Sequence, residues 1–293
     1  MPLLSIALPI KEYTKSLEAS LASCFSSTFD DYEILVGIQE PFSLENSCRC
    51  NSLLKNSKVR IIDCSAARNL PQNLNRILGA SSSPFVVRHD DDDLMHPKRL
   101  ERLAQVILHG EASHAVVLGQ TYRCLSEGRM TGHVAEVSCL DQENRLKLLT
   151  GPCFAHPAVT LNMSKLQCWY DEDYELAQDY KLYVDNYSCG AFVGDKGVGT
   201  YYSLPTYTSI ARLTRRRKQL GLHDKAMSAL WRYLLGADRV DEQKVTYFRR
   251  RWISKDDLDA VSSDHLNSFS EEEDREAWAM YEEAKRVVLR GTS

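Results

Sequence analysis

The sequence lacks any uninterrupted apolar run close to the ~20 residues that a helix needs to cross a bilayer. Its N-terminus, MPLLSIALPIKEY, is apolar but short, and it has neither a basic leader nor a small-residue cleavage site. It therefore predicts a first β-strand rather than a signal peptide. Charge of one sign does not dominate, because the formal net charge is only -4 at pH 7, so we expect no nucleic-acid partner.

The nine cysteines lack the spacing of a zinc site, and Cys48 and Cys50 form a single C-x-C pair. Their odd number and the lack of an export signal favour reduced thiols in the cytoplasm. Two glycine-rich phosphate-binding patterns are also missing, the dinucleotide fingerprint G-x-G-x-x-G and the P-loop. A bound nucleotide would therefore need another device to hold its negative charge.

Strand-like and helix-like segments alternate over the first hundred residues. The β-branched runs lie at Leu3 to Ile10, Glu33 to Ile38, Val59 to Asp63 and Phe85 to His89. Between them, residues 71–80 can form a helix with Asn69 as its N-cap and Pro71 in its first turn. This alternation predicts an α/β fold with a Rossmann-like, mainly parallel sheet flanked by helices on both faces.

Further elements follow the fourth predicted strand. We expect a helix over Lys98 to His109, a strand over His114 to Tyr122 and a hairpin tip within residues 126–133. Helices predominate after residue 213, and the last one follows a capping-box spacing at Ser270 and Glu273. We therefore predict an α/β domain over residues 1–212 and a helical C-terminal extension over residues 213–293.

Four consecutive aspartates follow the fourth predicted strand, in 84-PFVVRHDDDDLMHPKRL-100. Ligands of open parallel sheets bind beyond the carboxyl ends of the strands. Mg²⁺ or Mn²⁺ prefers carboxylate oxygens and would neutralise a diphosphate there. In an extended segment Asp90 and Asp92 point one way and Asp91 and Asp93 the other, so D-x-D would be the working unit. The alternative is a solvated acidic turn before a helix N-terminus, where negative charge is favourable.

The acidic run lies in one of several segments that follow one another in a characteristic order. They are 5-SIALPIKEYTKSLEASLASCFSSTFDDYEILVG-37, the helix-and-strand segment 75-NRILGASSSPFVVRHDDDDLMHPKRLE-101 that contains the run, and 156-HPAVTLNMSKL-166 with 170-YDEDYELAQDYKLYVDN-186. Together they resemble the family 2 glycosyltransferases with the GT-A fold, over residues 3–212. The resemblance implies an inverting transferase that uses a nucleotide-diphosphate sugar, with UDP as the default nucleotide, and Mn²⁺ or Mg²⁺.

The resemblance also implies roles for individual residues. Asp92 would bind the metal, Asp90 would lie near the ribose or the water shell of the metal, and Asp179 would be the general base. The donor nucleotide would contact Pro9, Lys11, Gln39, Glu40, Arg68, Asn75, Asp90 and Asp91. The acceptor side would include His156, Trp169 and Gln178. Taken without the resemblance, the sequence favours an ordinary exposed helix carboxylate for Asp179 and a satisfied structural histidine for His156.

The chain departs from the family pattern at three places. The second strand ends in GIQEP rather than in acidic residues, and Gln178 replaces the usual glutamate before the base. The segment 204-LPTYTSIARLTRRR-217 has no histidine where many members have a third metal ligand, so Arg212 or Arg215 would supply positive charge there. These departures keep open a second hypothesis, a non-catalytic GT-A module that binds sugar or protein. A sugar-nucleotide pyrophosphorylase is disfavoured, because SIALPIKEY has no glycine-rich loop.

Two basic clusters, 212-RLTRRRK-218 and 249-RRRW-252, stand out from the acidic background. One hypothesis is peripheral contact with an anionic membrane or a lipid-diphosphate acceptor, aided by Tyr247, Phe248 and Trp252. The alternative is a solvated helical face paired with the acidic residues 270–278. The final helix carries an apolar face that would pack on the catalytic domain or on the second copy of a homodimer. That face consists of Ala277, Tyr281, Ala284 and Val288.

Overall fold

The computed structural model describes residues 1–40, 48–110, 112–204, 210–249 and 271–291. Its strands are β1 (Leu4–Ile10), β2 (Tyr32–Ile38), β3 (Val59–Asp63), β4 (Phe85–Arg88), β5 (Leu94–Met95), β6 (Ala115–Ser126), β7 (Arg129–Ala135), β8 (Val159–Asn162) and β9 (Ala191–Ser203). Its α-helices are α1 (Ser16–Phe25), α2 (Cys48–Leu54), α3 (Leu70–Ala80), α4 (Arg99–Leu108), α5 (Asp141–Leu148), α6 (Gln178–Asp185), α7 (Ile210–Leu235), α8 (Glu242–Phe248) and α9 (Glu271–Arg290).

The described strands form one sheet in the order β3-β2-β1-β4-β8-β6-β9-β5, with β7 paired to β6. The pairs β1–β2, β2–β3, β1–β4 and β6–β9 are parallel. The other pairs are antiparallel, so β5, β7 and β8 run against the remaining strands. The prediction of a mainly parallel sheet flanked by helices is confirmed.

The local signals in the sequence placed most of these elements correctly. Asn69 caps α3, because its side chain accepts a hydrogen bond from the Gln72 N–H at 3.0 Å. The expected hairpin tip is present between β6 and β7, where Glu127 and Gly128 have φ angles of 50° and 74°. Strand β6 is longer than predicted, since it continues to Ser126. Ser270 of the proposed capping box lies outside the described residues.

The core of the sheet begins with β1, which is buried along its whole length. Alternate residues of β1 (Leu4, Ile6, Leu8 and Ile10) share a hydrophobic cluster with the apolar face of α1 (Leu17, Leu21 and Cys24). On β2, a Cβ added at Gly37 would lie 2.3 Å from Asn73 Oδ1 of α3. Glycine is therefore required at this position for α3 to approach β2 closely. These contacts fix the carboxyl ends of β1 and β2, where ligands bind in such sheets.

The chain divides into two compact units. The first comprises Met1–Asp141, Phe154–Glu175 and Asn186–Thr206 and contains the sheet. The second comprises Gln142–Cys153, Leu176–Asp185 and Tyr207–Ser293. Two internal segments thus join the C-terminal helices, whereas the predicted domain boundary divides the chain once, at residue 212. Compact units are not the same as evolutionary or folding domains, so the predicted domain boundary at residue 212 stays a prediction.

The second unit is organised around Trp231 of α7. Its indole N–H donates to the Leu149 carbonyl at 3.0 Å, and its ring lies 5.5 Å from that of Phe248 and 6.1 Å from that of Tyr281. The predicted apolar face of α9 packs inside this unit, since Ala277, Ala284 and Val288 are buried and Tyr281 stacks on Phe248. This face therefore packs within its own unit, and the homodimer stays a prediction.

Only the first residue of the second basic cluster, Arg249, lies within the described part of the chain. Tyr247 and Phe248 are buried, and Arg249 is buried in an ion pair with Asp224. None of the three side chains is available to a membrane. Arg250, Arg251 and Trp252 lie outside the described residues. Within the part of the chain that is described, no helix combines the length and the apolar character needed to span a bilayer.

Candidate functional site

The aspartate run lies directly beyond the carboxyl end of β4, at the centre of the sheet. All four residues of β4 are buried, and the His89 N–H that follows donates to the Ala7 carbonyl of β1 at 3.1 Å. The chain then turns, because the Asp93 N–H donates to the Asp90 carbonyl at 3.3 Å. The run is therefore a turn and not an extended segment.

This turn brings three carboxylates together. Asp90, Asp92 and Asp93 each offer an oxygen, and these atoms all lie within 4.8 Å of one another. The expected alternation, with Asp91 and Asp93 on the opposite side from Asp90, was wrong because it assumed an extended backbone. Asp93 is thus a candidate ligand that the sequence reasoning missed. The run alone carried no signal for this role, because four aspartates can extend or turn, and only a turn brings the first and last positions close.

The end of β9 holds this turn in place. The Ser203 N–H donates to Asp93 Oδ1 at 2.7 Å, and the Ser203 hydroxyl donates to the Asp92 carbonyl at 2.6 Å. The second oxygen of the buried Asp93 carboxylate, Oδ2, has no hydrogen-bond partner in the described structure. A buried carboxylate oxygen without a donor is the kind of atom that a cation satisfies.

The electrostatics of the turn also fit a cation. Burial and the negative charge of Asp90 raise the pKa of Asp93 to about 8. Burial, together with Asp92 and Asp90, raises the pKa of Asp91 to about 6. The pKa of Asp92 is raised as well, by burial and by Asp90. A divalent ion would oppose each of these shifts by stabilising the ionised carboxylates, so the residues present suit Mg²⁺ or Mn²⁺.

Four of the predicted donor-binding residues come together at the edge of the sheet formed by the carboxyl ends of β1 and β2. Pro9 is paired with Gly37 in the parallel register. The Gln39 N–H donates to the Ile10 carbonyl and the Glu40 N–H to the Lys11 carbonyl, both at 2.9 Å. Lys11 and Glu40 are exposed and Gln39 is half-buried. Arg68 is exposed just ahead of α3.

The side chain of Asn75, also expected at the nucleotide, is hydrogen-bonded to the backbone of Tyr170. Its Nδ2 donates to the Tyr170 carbonyl at 2.8 Å, and its Oδ1 accepts from the Tyr170 N–H at 3.0 Å. Contact between Asn75 and the donor nucleotide stays a prediction. Its neighbour Asn73 was missed, although its amide donates to the Gly37 carbonyl at 3.2 Å and so fixes the end of β2. Helical spacing places Asn73 on the buried face of α3, and that was the signal available.

The acceptor-side residues differ in exposure. His156 is buried and its Nε2 lies 2.8 Å from the hydroxyl of the buried Tyr170. Burial, and then the charge of Arg88, hold the pKa of His156 well below its ordinary value, so this histidine is neutral. Trp169 is 43% exposed, and one edge of its indole covers Gly79 of α3. Of the two aromatic residues here, Trp169 is thus the one with surface left for a sugar ring.

The predicted base lies at the start of α6, in the second unit. Gln178 and Asp179 occupy its first turn and are half-buried. Ala177 before them has a φ of 59°, a conformation that non-glycine residues rarely adopt. The next residue, Tyr180, is buried, and its hydroxyl donates to the Leu148 carbonyl at 2.7 Å. The Tyr180 hydrogen bond thus anchors the first turn of α6 next to Asp179.

Comparison with protein families identifies the chain. A model of Glycosyl transferase family 2 matches residues 5–168, which is more than half of its length. The chain belongs to this family. The matched range contains β1 to β8 and the aspartate turn, and the predicted family is confirmed. No curated protein matches the chain in sequence.

Solved structures with the same fold carry nucleotides or nucleotide sugars. S. aureus TarS 1-349 in complex with UDP is 14% identical with a TM-score of 0.60, over 97% of this chain and 82% of that one. TarS 1-349 with UDP-GlcNAc is 14% identical, TM-score 0.58, over 98% and 90%. The mannosyltransferase PcManGT from Pyrobaculum calidifontis, in complex with GDP-Man and Mn2+, is 13% identical, TM-score 0.55, over 100% and 88%. At these identities the likeness shows the fold alone, and the predicted GT-A fold is confirmed.

Proposed function

We propose that this family 2 glycosyltransferase moves a hexosyl group, with inversion, from a nucleotide-diphosphate sugar to a saccharide or glycolipid acceptor in surface polysaccharide assembly. The carboxylates of Asp90, Asp92 and Asp93 beyond β4 are the observation that carries the proposal. Mn²⁺ or Mg²⁺ fits this donor set, and UDP is the first candidate nucleotide. The ligands in the TarS and PcManGT structures support a nucleotide-sugar donor and a metal of this kind.

The roles of the protein groups follow from the chemistry of inversion. Asp179 takes the proton from an acceptor hydroxyl as that oxygen forms the new bond to C1 of the donor sugar. The bond from C1 to the diphosphate oxygen breaks on the opposite face, and its electron pair leaves with the nucleotide. A bound divalent ion would stabilise the negative charge that builds on the diphosphate. Asp90, Asp92 and Asp93 would hold this ion, and Lys11, Gln39 and Glu40 at the edge of the sheet would orient the nucleotide.

A donor screen tests the proposal. Purified protein would be incubated with Mn²⁺ and UDP-GlcNAc, UDP-glucose or GDP-mannose, and the free nucleotide measured with and without mixed saccharide acceptors. We expect one donor to give nucleotide release that stops when EDTA removes the metal. The non-catalytic alternative, favoured by the GIQEP end of β2, predicts metal-dependent binding of a donor with no release from any of them.

The first basic cluster suits peripheral contact with the inner face of a cytoplasmic membrane. Arg215, Arg216, Arg217 and Lys218 are all exposed on α7. Cationic residues each add about 1 kcal/mol of attraction to an anionic surface. We therefore expect the protein to float with vesicles of anionic phospholipid at low salt and to be released at high salt. Equal flotation with neutral vesicles, or none with anionic ones, would exclude this contact.

A further inference from the structure

Arg88 is a buried cation directly beneath the aspartate turn. It is the last residue of β4, its register partner on β1 is Ala7, and it is 1% exposed. A fully buried arginine is rare unless it is paired, because removing its charge from water costs several kcal/mol. The position therefore requires an anion nearby.

The anion is the first aspartate of the turn. One terminal nitrogen of the Arg88 guanidinium forms an ion pair with Asp90 Oδ1, and the other donates to the His89 carbonyl. The side chain of Arg88 is 2% exposed and that of Asp90 29%. Arg88 thus holds the carboxylate of Asp90 and the backbone at the start of the turn at the same time.

The second buried arginine of this region, Arg99, does not form an ion pair with the aspartates in the part of the chain that the structure describes. Arg99 of α4 is also fully buried, but its guanidinium donates to neutral oxygens, those of Gln120 at 3.0 Å, Thr200 at 2.9 Å and the Val159 carbonyl at 3.3 Å. Arg88 is the one of the two that bonds directly to a carboxylate of the metal cluster. Three carboxylates so close together repel one another strongly when no cation is present.

We propose that Arg88 is a positioning residue, an internal counter-charge that holds Asp90 and allows the aspartate turn to fold before a metal ion binds. Its positive charge neutralises part of the negative charge of the three carboxylates, and a bound divalent ion would neutralise the rest. The pairing of Arg88 with Asp90 does not depend on the proposed function, and only the effect of added metal rests on it. The chain therefore keeps an ordered site ready for a cation.

A double-mutant cycle tests this proposal on the full chain without substrate. The variants are Arg88→Met, Asp90→Asn and the pair together, with melting temperatures measured after EDTA treatment and again with Mn²⁺. We expect Arg88→Met to lower the Tm by roughly 10 °C, since it leaves the carboxylates uncompensated. Asp90→Asn in the same chain should recover at least half of that loss, because it removes one of the repelling charges. Arg88→Lys, which keeps the charge, should lose less than Arg88→Met.

Mn²⁺ supplies the second readout. Since the ion replaces the missing charge, it should raise the Tm of Arg88→Met more than that of the wild type. Arg102→Met is the matched control, because Arg102 pairs with Asp195 at 3.4 Å, away from the cluster. Its loss should give no extra response to Mn²⁺.

The outcomes separate this proposal from the proposed function. An unaltered Tm for Arg88→Met would show that the side chain contributes nothing to stability, and a double variant no more stable than Arg88→Met would show that it acts only through packing. Either result would overturn the proposal. If Arg88→Met fails to fold, recovery of folded protein by Asp90→Asn supports the proposal and failure of the double variant overturns it. Rescue by Asp90→Asn with no Mn²⁺ response in any variant would support the counter-charge and contradict the metal-dependent function.

Discussion

Replacing Asp179 by Asn is expected to slow sugar transfer by a factor on the order of 10²–10⁴ and to leave nucleotide binding unchanged. The amide keeps the shape of the carboxylate but cannot accept the proton of the acceptor hydroxyl. Asp179 belongs to the second compact unit, whereas the candidate cation ligands belong to the first. Steady-state rates with the donor found in the screen, together with calorimetric titration of its nucleotide, measure both effects.

Asp185→Asn is the control for this result. Asp185 ends the same helix and pairs with Lys181 at 2.6 Å, so its replacement removes one carboxylate from α6 without touching the predicted base. We expect it to retain most of the wild-type rate. A wild-type rate for Asp179→Asn, or an equal loss in the two variants, would remove Asp179 from the proposed mechanism.

Trp231→Ala is expected to destabilise the protein by about 3–5 kcal/mol, the usual cost of deleting a large buried aromatic side chain. Trp231 is fully buried, packs on Phe248 and Tyr281, and satisfies the Leu149 carbonyl. Its removal leaves both a cavity and an unpaired acceptor. Urea unfolding followed by circular dichroism measures the change in the free energy of unfolding.

The same helices provide a matched comparison for Trp231. Trp278 of α9 belongs to the same aromatic group but is 41% exposed, so Trp278→Ala should cost much less. Trp231→Phe should recover part of the loss, because the ring fills most of the space but cannot donate to Leu149. Equal stabilities of Trp231→Ala and Trp278→Ala would contradict the assignment of Trp231 as the centre of this unit.

The fold was largely predictable because its signals are local. The β-branched runs of β1 to β4, the Asn69 cap of α3 and the proline-led start of α4 each act through neighbouring residues. The aspartate turn illustrates where such reasoning ends. Whether four aspartates extend or turn depends on the Ser203 contacts to Asp92 and Asp93, and Ser203 is 110 residues from Asp93 in sequence. No pattern within the run contains that information.

The C-terminal region shows the same limit more strongly. Tyr247, Phe248 and Arg249 resemble an interfacial cluster in sequence, but all three are buried, and Phe248 packs against α7 and α9. Arg249 forms an ion pair with Asp224, 25 residues earlier, and charge counting in the sequence did not indicate this pair. The role of Arg88 could likewise not be predicted from the sequence, because it depends on the burial of the side chain in the folded protein.

The central claim, that the aspartate turn holds a cation for a nucleotide, is tested most directly by titrating UDP into the protein with and without Mn²⁺. The titration compares the wild type with Asp92→Asn, and Asp30→Asn serves as a control for the loss of an exposed carboxylate. The account predicts Mn²⁺-dependent binding that Asp92→Asn abolishes and Asp30→Asn retains. Binding that is equal with and without Mn²⁺, or unchanged in Asp92→Asn, would contradict it. An absence of binding both for UDP and for GDP would make the run an acidic turn without a cation.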